Sequence, residues 1–266
     1  MATSRSSDGD PARTLELLWR HRPGVRPSAR RGPRQGLSVD RVVEAAISLA
    51  DREGLDAVSM RRLAEILGVA PMTLYTYLPG KAELIDLMLD WVYAQMTLTD
   101  TAGLPWRARL EAIADDNRAL FAAHPWAAFV STGRPPLGPG LMAKYEHELQ
   151  ALEGTPLDDV ERDAALTFLL DFVQTAARAE ADRRAAARES EMDDAEWWAA
   201  NAPLLARVVD TTAYPTAARV GTAAGAAHGA AYSPEHAYRF GLRRVLDGLG
   251  VLTDSREKSS CPHHLP

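Results

Sequence analysis

The sequence predicts an all-α protein. Apolar residues recur at helical spacing through most of the chain, and the strict alternation of apolar and polar residues that marks half-buried strands is hard to find. The hydrophobic share of 46% is enough for a globular core. A length of 266 residues allows one large domain or two modest ones.

Composition excludes several classes of protein. Cys261 is the single cysteine, so an intramolecular disulfide and a thiolate zinc cage are both ruled out, which indicates a reducing compartment. No apolar run approaches the roughly 18 residues of a membrane span. The first 11 residues lack the apolar segment of a secretory signal. We therefore expect a cytoplasmic protein that has no membrane partner.

Charge is distributed unevenly along the chain. Residues 1–81 carry a net charge of +4 and the remainder carries −10. The first 36 residues contain 8 arginines against 3 acidic residues. This asymmetry favours a basic part that contacts a polyanion and an acidic part with another task. A basic tail with no partner is the alternative.

Residues 1–36 are predicted to form a disordered basic arm. Residues 1–10 have almost no apolar content, whereas residues 14–20 are expected to form a short helical turn. Residues 22–36 mix five arginines with three prolines and three glycines, a density that prevents regular structure.

Three short helices and a long one are predicted next, and residues 37–82 are expected to form one domain. The first short helix begins after Ser38 as N-cap and stops at Gly54, and the second covers residues 59–67. The third covers residues 70–77 and ends before a Pro-Gly pair. The long helix is predicted over residues 81–97.

The two turns between the short helices have the spacing of a helix-turn-helix. Gly68 permits the sharp turn after the second helix, whose inner face is predicted to contain Leu63, Ile66 and Leu67. On the third helix Leu74 packs inward. The residues left exposed there are contact residues rather than solubilising ones: Met72, Thr73, Tyr75, Thr76 and Tyr77.

Residues 83–252 are predicted to form a second helical domain, and residues 253–266 a flexible tail. Helices are expected over residues 105–123, 141–152, 156–188, 195–209 and 235–249. Residues 216–231 are rich in Ala and Gly, so this segment is ambiguous between a weak helix and a loop.

Residues 37–90 resemble the tetracycline-repressor (TetR) family of bacterial regulators. The resemblance is carried by A-x-x-L-A-x-x-x-G-L, S-M-R-R-L-A-x-x-L-G-V and L-Y-x-Y-x-x-x-K-x-E-L, which together are far more specific than a single motif. The basic arm is similar to that of an actinobacterial subset of the family. Ala70 departs from the family pattern, which often has Ser or Thr there as N-cap, at a cost of roughly 1 kcal/mol.

The resemblance implies a double-stranded DNA operator as partner. Met72 and Thr73 would face base edges in the major groove, and Arg61 would reach a base or a phosphate. Four further positions would contact the DNA backbone: Ser59, Tyr75, Tyr77 and Lys81. The alternatives are that the tyrosines brace the helix as buried aromatics and that Lys81 is a solvated lysine. Arginines of the arm would enter a minor groove, unless the arm is only a tail: Arg30, Arg31 and Arg34.

The resemblance also implies a homodimer and a small-molecule effector of unknown identity. The implied dimer elements are residues 156–188 and 235–249, and the predicted dimer surface is a stripe at helical spacing: Tyr238, Leu242, Val245 and Leu249. The alternative is that this stripe faces its own core. The effector is expected to contact Trp126, Phe168, Phe172 and Gln174, although aromatics at helical spacing are also typical of ordinary core.

Signals for catalysis are weak. Glu146-His147-Glu148 lacks the second histidine of a zinc-protease helix, and His263 and His264 lie near Cys261 in a terminus expected to fray. We therefore predict no catalytic residue, no metal and no cofactor. The leading hypothesis is a ligand-responsive repressor. One alternative is an all-α small-molecule-binding or catalytic protein that uses the helix-turn-helix only as scaffold. Another is an architectural DNA binder without sequence preference.

Overall fold

The computed structural model describes residues 10–23, 37–131 and 133–260, and the regular elements in these ranges are helices. The prediction of an all-α fold is confirmed. Within the same ranges, no helix is both long enough and apolar enough to cross a membrane. Several predicted residues lie outside the described residues: Arg30, Arg31, Arg34, Cys261, His263 and His264.

A helix interrupts the arm that was predicted to be disordered. Helix α1 (Pro11–Leu18) is capped by Asp10, whose side chain accepts a hydrogen bond from the amide of Arg13. Its Leu17 and Leu18 are 7% and 2% exposed, so one side of α1 is buried. The helical turn predicted within residues 14–20 is present as α1 and begins earlier, at Pro11, so this part of the arm is ordered because its apolar residues pack on a hydrophobic surface.

Residues 37–94 form a compact group of helices. Its elements are α2 (Val39–Glu53), a 3₁₀ turn (Leu55–Ala57), α3 (Met60–Leu67), α4 (Pro71–Leu74) and α5 (Lys81–Ala94). Ser38 and Ser59 cap α2 and α3, each accepting a hydrogen bond from a backbone amide three residues on. These local hydrogen bonds fix where the helices begin.

The second part of the chain is also helical. Its elements are α6 (Trp106–Ala123), a 3₁₀ helix (Pro125–Phe129), α7 (Pro139–Gln150), α8 (Asp159–Ser190), α9 (Asp194–Val208), α10 (Pro215–His228) and α11 (Pro234–Ser260). The ambiguous segment 216–231 is thus largely helical. Helix α11 continues to Ser260 and buries Thr253, so a flexible tail beginning at residue 253 is incorrect.

Two hydrophobic cores organise these helices. The first core is formed by residues of all five helices from α1 to α5. It also includes Trp126 and Val130, so it extends into the second part of the chain. The second core lies among α6, α8 and α11. Helices α8 and α11 are antiparallel, because Glu161 pairs with Arg256 at one end and Phe172 packs against Gly241 nearer the other.

The predicted dimer stripe on α11 belongs to the second core. Tyr238, Val245 and Leu249 are at most 8% exposed, and Leu242 packs against the same core. The prediction that this stripe forms the dimer surface is wrong, and the alternative that it faces its own core is correct. Helical periodicity identified residues that share one face but did not show which neighbour covers that face.

Candidate nucleic-acid interface and effector cavity

A glycine-dependent turn sets the direction of α4. Gly68 has a φ of 67°, in the left-handed region, and ends α3. The amide of Val69 donates to the carbonyl of Ala64 at 3.0 Å, which closes the turn. Because any residue with a Cβ would be strained at this φ, the sequence predicts the turn from this one position.

Helix α4 is shorter than the predicted span of residues 70–77. After Leu74 the backbone tightens, because the amides of Thr76 and Tyr77 donate to carbonyls three residues back. The hydroxyl of Thr76 also donates to the carbonyl of Thr73 at 2.6 Å. Leu74 and Leu78 are fully buried, so this short segment is anchored firmly to the first core.

The outer side of α3 and α4 presents a small group of exposed side chains. Met72 is 74% exposed and Tyr75 is 47% exposed, while Thr73 is half-buried beside them. The Arg61 side chain is 85% exposed and its Nε lies 3.2 Å from Glu65 Oε1. Large apolar and aromatic groups in solvent are typical of contact surfaces rather than of a free helix face.

Other predicted DNA contacts have structural partners. Tyr77 is half-buried and packs against the first core, so its predicted exposure is incorrect. Lys81 Nζ donates to the carbonyl of Leu55 at 3.3 Å and ties α5 to the 3₁₀ turn after α2. Ser59 is the N-cap of α3. Ile66 is 45% exposed rather than on the inner face of α3, which instead buries Met60, Leu63 and Ala64.

Trp126 lies where the 3₁₀ helix after α6 contacts α2. Its indole Nε1 donates to Asp51 Oδ1 of α2 at 2.8 Å, and His124 Nδ1 lies 2.9 Å from the same oxygen. The Trp126 side chain is buried in the first core. Trp126 therefore connects the 3₁₀ helix after α6 to α2 and the helices that pack on it.

A large, partly open cavity lies beside α7, and we call it the α7 cavity. Its volume is about 620 Å³, and its lining comes from α5, α6, α7, α8 and the loop before α7. The apolar walls include Phe121, Leu141, Met142, Leu166 and Leu170. A mainly apolar cleft with a few polar groups is the usual form of a small-molecule site.

A buried polar cluster lies at one side of the α7 cavity. Lys144 Nζ donates to Glu148 Oε1 at 2.6 Å, and Asn117 Nδ2 donates to the same oxygen at 2.6 Å. All three side chains are more than nine-tenths buried. The Lys144 ammonium also lies 5.4 Å from the ring centroid of Tyr93, whose pKa is raised by burial and by the nearby carboxylates of Glu148 and Asp90.

The sequence pattern did not predict this cluster. Lys144 and Glu148 are four residues apart on α7, a spacing that is usually a solvated surface pair. A signal was nevertheless available, because the pair occupies one face of a helix together with Leu141 and Tyr145. Asn117 carried no signal that distinguished it from a surface asparagine.

The four predicted effector residues are separated in the structure. Gln174 lines the α7 cavity, and Phe172 lines a second cavity of about 310 Å³ between α6, α8 and α11. Trp126 lines neither cavity. Phe168 is 56% exposed on the outer side of α8 and also lines neither.

A helix-turn-helix with exposed contact residues, joined to a helical domain that encloses a cavity, defines a DNA-binding regulator with a built-in sensory domain. The chain matches the family model described as "Bacterial regulatory proteins, tetR family" over residues 42–88. It matches the model described as "Tetracyclin repressor-like, C-terminal domain" over residues 100–253. The chain belongs to the tetracycline-repressor (TetR) family, and it is a transcriptional regulator.

Individual relatives agree with this assignment. The HTH-type transcriptional repressor DrrR1 of Streptomyces coeruleorubidus is 42% identical over 263 residues, which cover 98% of this chain and 93% of that protein. The structure of ActR from Streptomyces coelicolor in complex with (S)-DNPA is 26% identical, with a TM-score of 0.64, and covers 81% of this chain and 98% of that one. Apo ActR shares the fold, with a TM-score of 0.67 at 24% identity over 86% of this chain and all of that one.

Proposed function

We propose that this regulator is a repressor that binds a palindromic operator as a homodimer in the cytoplasm and leaves it when a small molecule occupies the second domain. The observation that carries the proposal is the exposed group formed by Met72, Tyr75 and Arg61 on a rigidly anchored helix-turn-helix. The similarity to the repressor DrrR1 supports the sign of regulation. The complex of ActR with (S)-DNPA supports an organic effector.

The outer face of the α8–α11 pair supports the homodimer. Val160 and Phe168 of α8 are 79% and 56% exposed, and Phe240 and Val251 of α11 are 51% and 72% exposed. A Cβ at Gly248 would meet no atom within 4 Å, so a second backbone can approach there. We infer that a second copy of the chain covers this face, because a two-fold axis there would present two helix-turn-helix units to one duplex.

A continuous path of contacts leads from the α7 cavity to the DNA-binding helices. Gln174 of α8 donates from Nε2 to the carbonyl of Ala128 at 3.1 Å, and Arg178 donates to the same carbonyl. Two residues earlier in the same 3₁₀ helix, Trp126 donates to Asp51 of α2. An effector bound at Gln174 would stabilise an arrangement of these contacts in which the two helix-turn-helix units are not aligned with the operator. Operator affinity would therefore fall.

The experiment that tests DNA binding uses one exposed methionine and a matched control. Replacing Met72 by Ala removes an apolar contact to base edges, so we expect operator affinity to fall by about tenfold without a change in melting temperature. Met192→Ala removes a methionine that is 44% exposed, in the connection between α8 and α9, and should leave affinity unchanged. Fluorescence anisotropy with DNA flanking the gene measures both.

Equal operator affinity for the unmodified chain and for Met72→Ala would contradict the proposed interface. A loss of the same size in Met192→Ala would also contradict it, since the effect would then not depend on contact with the duplex.

A further inference from the structure

Helix α1 and the turn after it contact both parts of the chain, although they precede the region that matches the family. One side of α1 packs against α5 and buries Leu17 and Leu18. The three residues that follow, Trp19, Arg20 and His21, each make a polar contact with another element. These contacts lead to two different places, the loop before α7 and the first turn of α2.

Trp19 holds the loop before α7. Its indole Nε1 donates to the carbonyl of Leu137 at 2.8 Å, and Leu137 lines the α7 cavity. The guanidinium of Arg22 lies 5.6 Å from the centroid of the Trp19 ring, a cation–π contact that favours this orientation of the indole. The position of the loop is therefore tied to the end of α1.

Arg20 and His21 connect the same turn to α2. Arg20 Nε donates to Asp40 Oδ1 at 2.9 Å, and His21 Nε2 lies 3.2 Å from the same oxygen. Arg20 Nη1 also donates to the carbonyl of Leu17 at 2.8 Å, which fixes the guanidinium against α1. The Arg20 side chain is 12% exposed, so water competes little for its ion pair with Asp40. The first turn of α2 is therefore tied to the residue next to Trp19.

This connection is separate from the one that runs through the 3₁₀ helix Pro125–Phe129. Trp19 and Arg20 are adjacent, so one peptide unit and two side chains lie between the Leu137 carbonyl and the Asp40 carboxylate. A peptide unit is planar and stiff, and the buried leucines of α1 hold it in place. A displacement of the loop before α7 would therefore reach α2 instead of being absorbed by flexible chain.

We propose that the turn after α1 couples the loop before α7 to α2, so that the position of this loop affects operator affinity. Without either contact α2 would adopt more orientations, and binding to the operator would have to remove that added freedom. This inference rests on the proposed function, since it names a second connection through which the second domain acts on DNA binding.

Hydrogen exchange on the full chain without DNA tests the coupling, with each contact broken separately and read at the far end. Trp19→Phe removes the indole N–H and keeps Arg20, and we expect exchange in residues 39–44 of α2 to become at least about threefold faster. Arg20→Met removes the ion pair and keeps the indole, and exchange in residues 133–142 should rise by a similar factor. A purely local role would change exchange only beside each substitution.

Matched controls make the same two substitutions on α9. Trp197→Phe and Arg207→Met change side chains that are exposed to solvent, and they should alter exchange in neither segment. Exchange in peptides from the second core should be the same in all four variants, which checks that each of them is folded.

Operator affinity gives the second readout. Each of Trp19→Phe and Arg20→Met should bind the DNA flanking the gene about threefold more weakly. The double variant should be no weaker than the weaker single variant, because both contacts belong to one connection. Fluorescence anisotropy measures the three affinities.

Exchange that changes only beside each substitution, or at neither end, would overturn the proposed coupling. Unchanged operator affinity, or losses that add in the double variant, would overturn its effect on DNA binding. If the Met72→Ala experiment succeeds while far-end exchange is unchanged, DNA binding stands and the coupling fails. If the unmodified chain does not bind the operator, the proposed function fails, and the exchange measurements still decide whether the loop and α2 are coupled.

Discussion

At the scale of single residues, two glycines determine how α7 meets α5. Asp90 of α5 is buried and accepts a hydrogen bond from the amide of Leu141 at 2.9 Å. Burial raises the pKa of Asp90 even though the amides of Leu141 and Gly140 donate to it. A Cβ at Gly140 would lie 2.0 Å from the Asp90 carbonyl oxygen, and a Cβ at Gly138 would lie 2.3 Å from its carboxyl carbon. Side chains cannot be accommodated at either position.

We therefore predict that Gly140→Ala lowers the free energy of unfolding by about 3 kcal/mol, because the new methyl group must push α7 away from α5. The control is Gly221→Ala on α10, where a Cβ would meet no atom within 4 Å. That change should raise stability by about 0.5–1 kcal/mol, since alanine favours the helix. Urea unfolding of both variants provides the comparison, and equal effects would show that the close contact is not required.

At the scale of elements, the 3₁₀ helix Pro125–Phe129 connects the sensory domain to the DNA-binding helices. Helix α8 contacts it through Gln174 and Arg178, which share the carbonyl of Ala128. The other side contacts α2, where Asp51 accepts from Trp126 and pairs with His124. Because one carboxylate serves both residues, a small shift of this 3₁₀ helix would move α2.

Replacing Trp126 by Phe keeps an aromatic side chain and removes the indole N–H that donates to Asp51. We expect the free energy of unfolding to fall by about 2 kcal/mol, the value of a hydrogen bond to a charged group. Hydrogen exchange should become faster in peptides from α2 and from residues 125–129. Trp197→Phe, at a half-exposed indole on α9, is the control. An unchanged rate of hydrogen exchange in α2 would contradict the role of Trp126 in connecting the 3₁₀ helix to α2.

The parts of the fold that the sequence predicted are those decided by local chemistry. Ser38, Ser59 and Gly68 each act through backbone groups within a few residues, so their positions fixed the helix boundaries. The roles of Trp126 and Lys144 depend on partners brought together by tertiary packing. Trp126 bonds to Asp51, 75 residues away, and Lys144 is buried because α5 and α8 pack against α7. Periodicity could not supply these neighbours.

At the scale of the whole molecule, the charge distribution fits the proposed dimer. The chain has a net charge of −6, while residues 1–81 have +4, so the second domain repels a duplex that the first attracts. A dimer through the α8–α11 face would keep both helix-turn-helix units available to DNA. The same arrangement would leave the acidic surface away from the phosphates.

Phe168→Glu tests the dimer. A carboxylate in the centre of the apolar α8–α11 face would have to be buried without a partner, so we expect the variant to be monomeric and to bind the operator weakly. Leu104→Glu places the same charge at a 42% exposed leucine in the loop before α6 and should leave the dimer intact. Sedimentation equilibrium distinguishes the two, and a dimeric Phe168→Glu variant would place the interface elsewhere.

We propose that the outer surface of α3 and α4, presented twice by a dimer, binds a symmetric operator. A footprint on the DNA flanking the gene tests it most directly. We predict two protected half-sites in an inverted repeat, with centres about 34–36 Å apart, and no such protection when Met72 and Tyr75 are both replaced by Ala. Uniform protection without a symmetric site, or the same footprint from the doubly substituted chain, would contradict the claim.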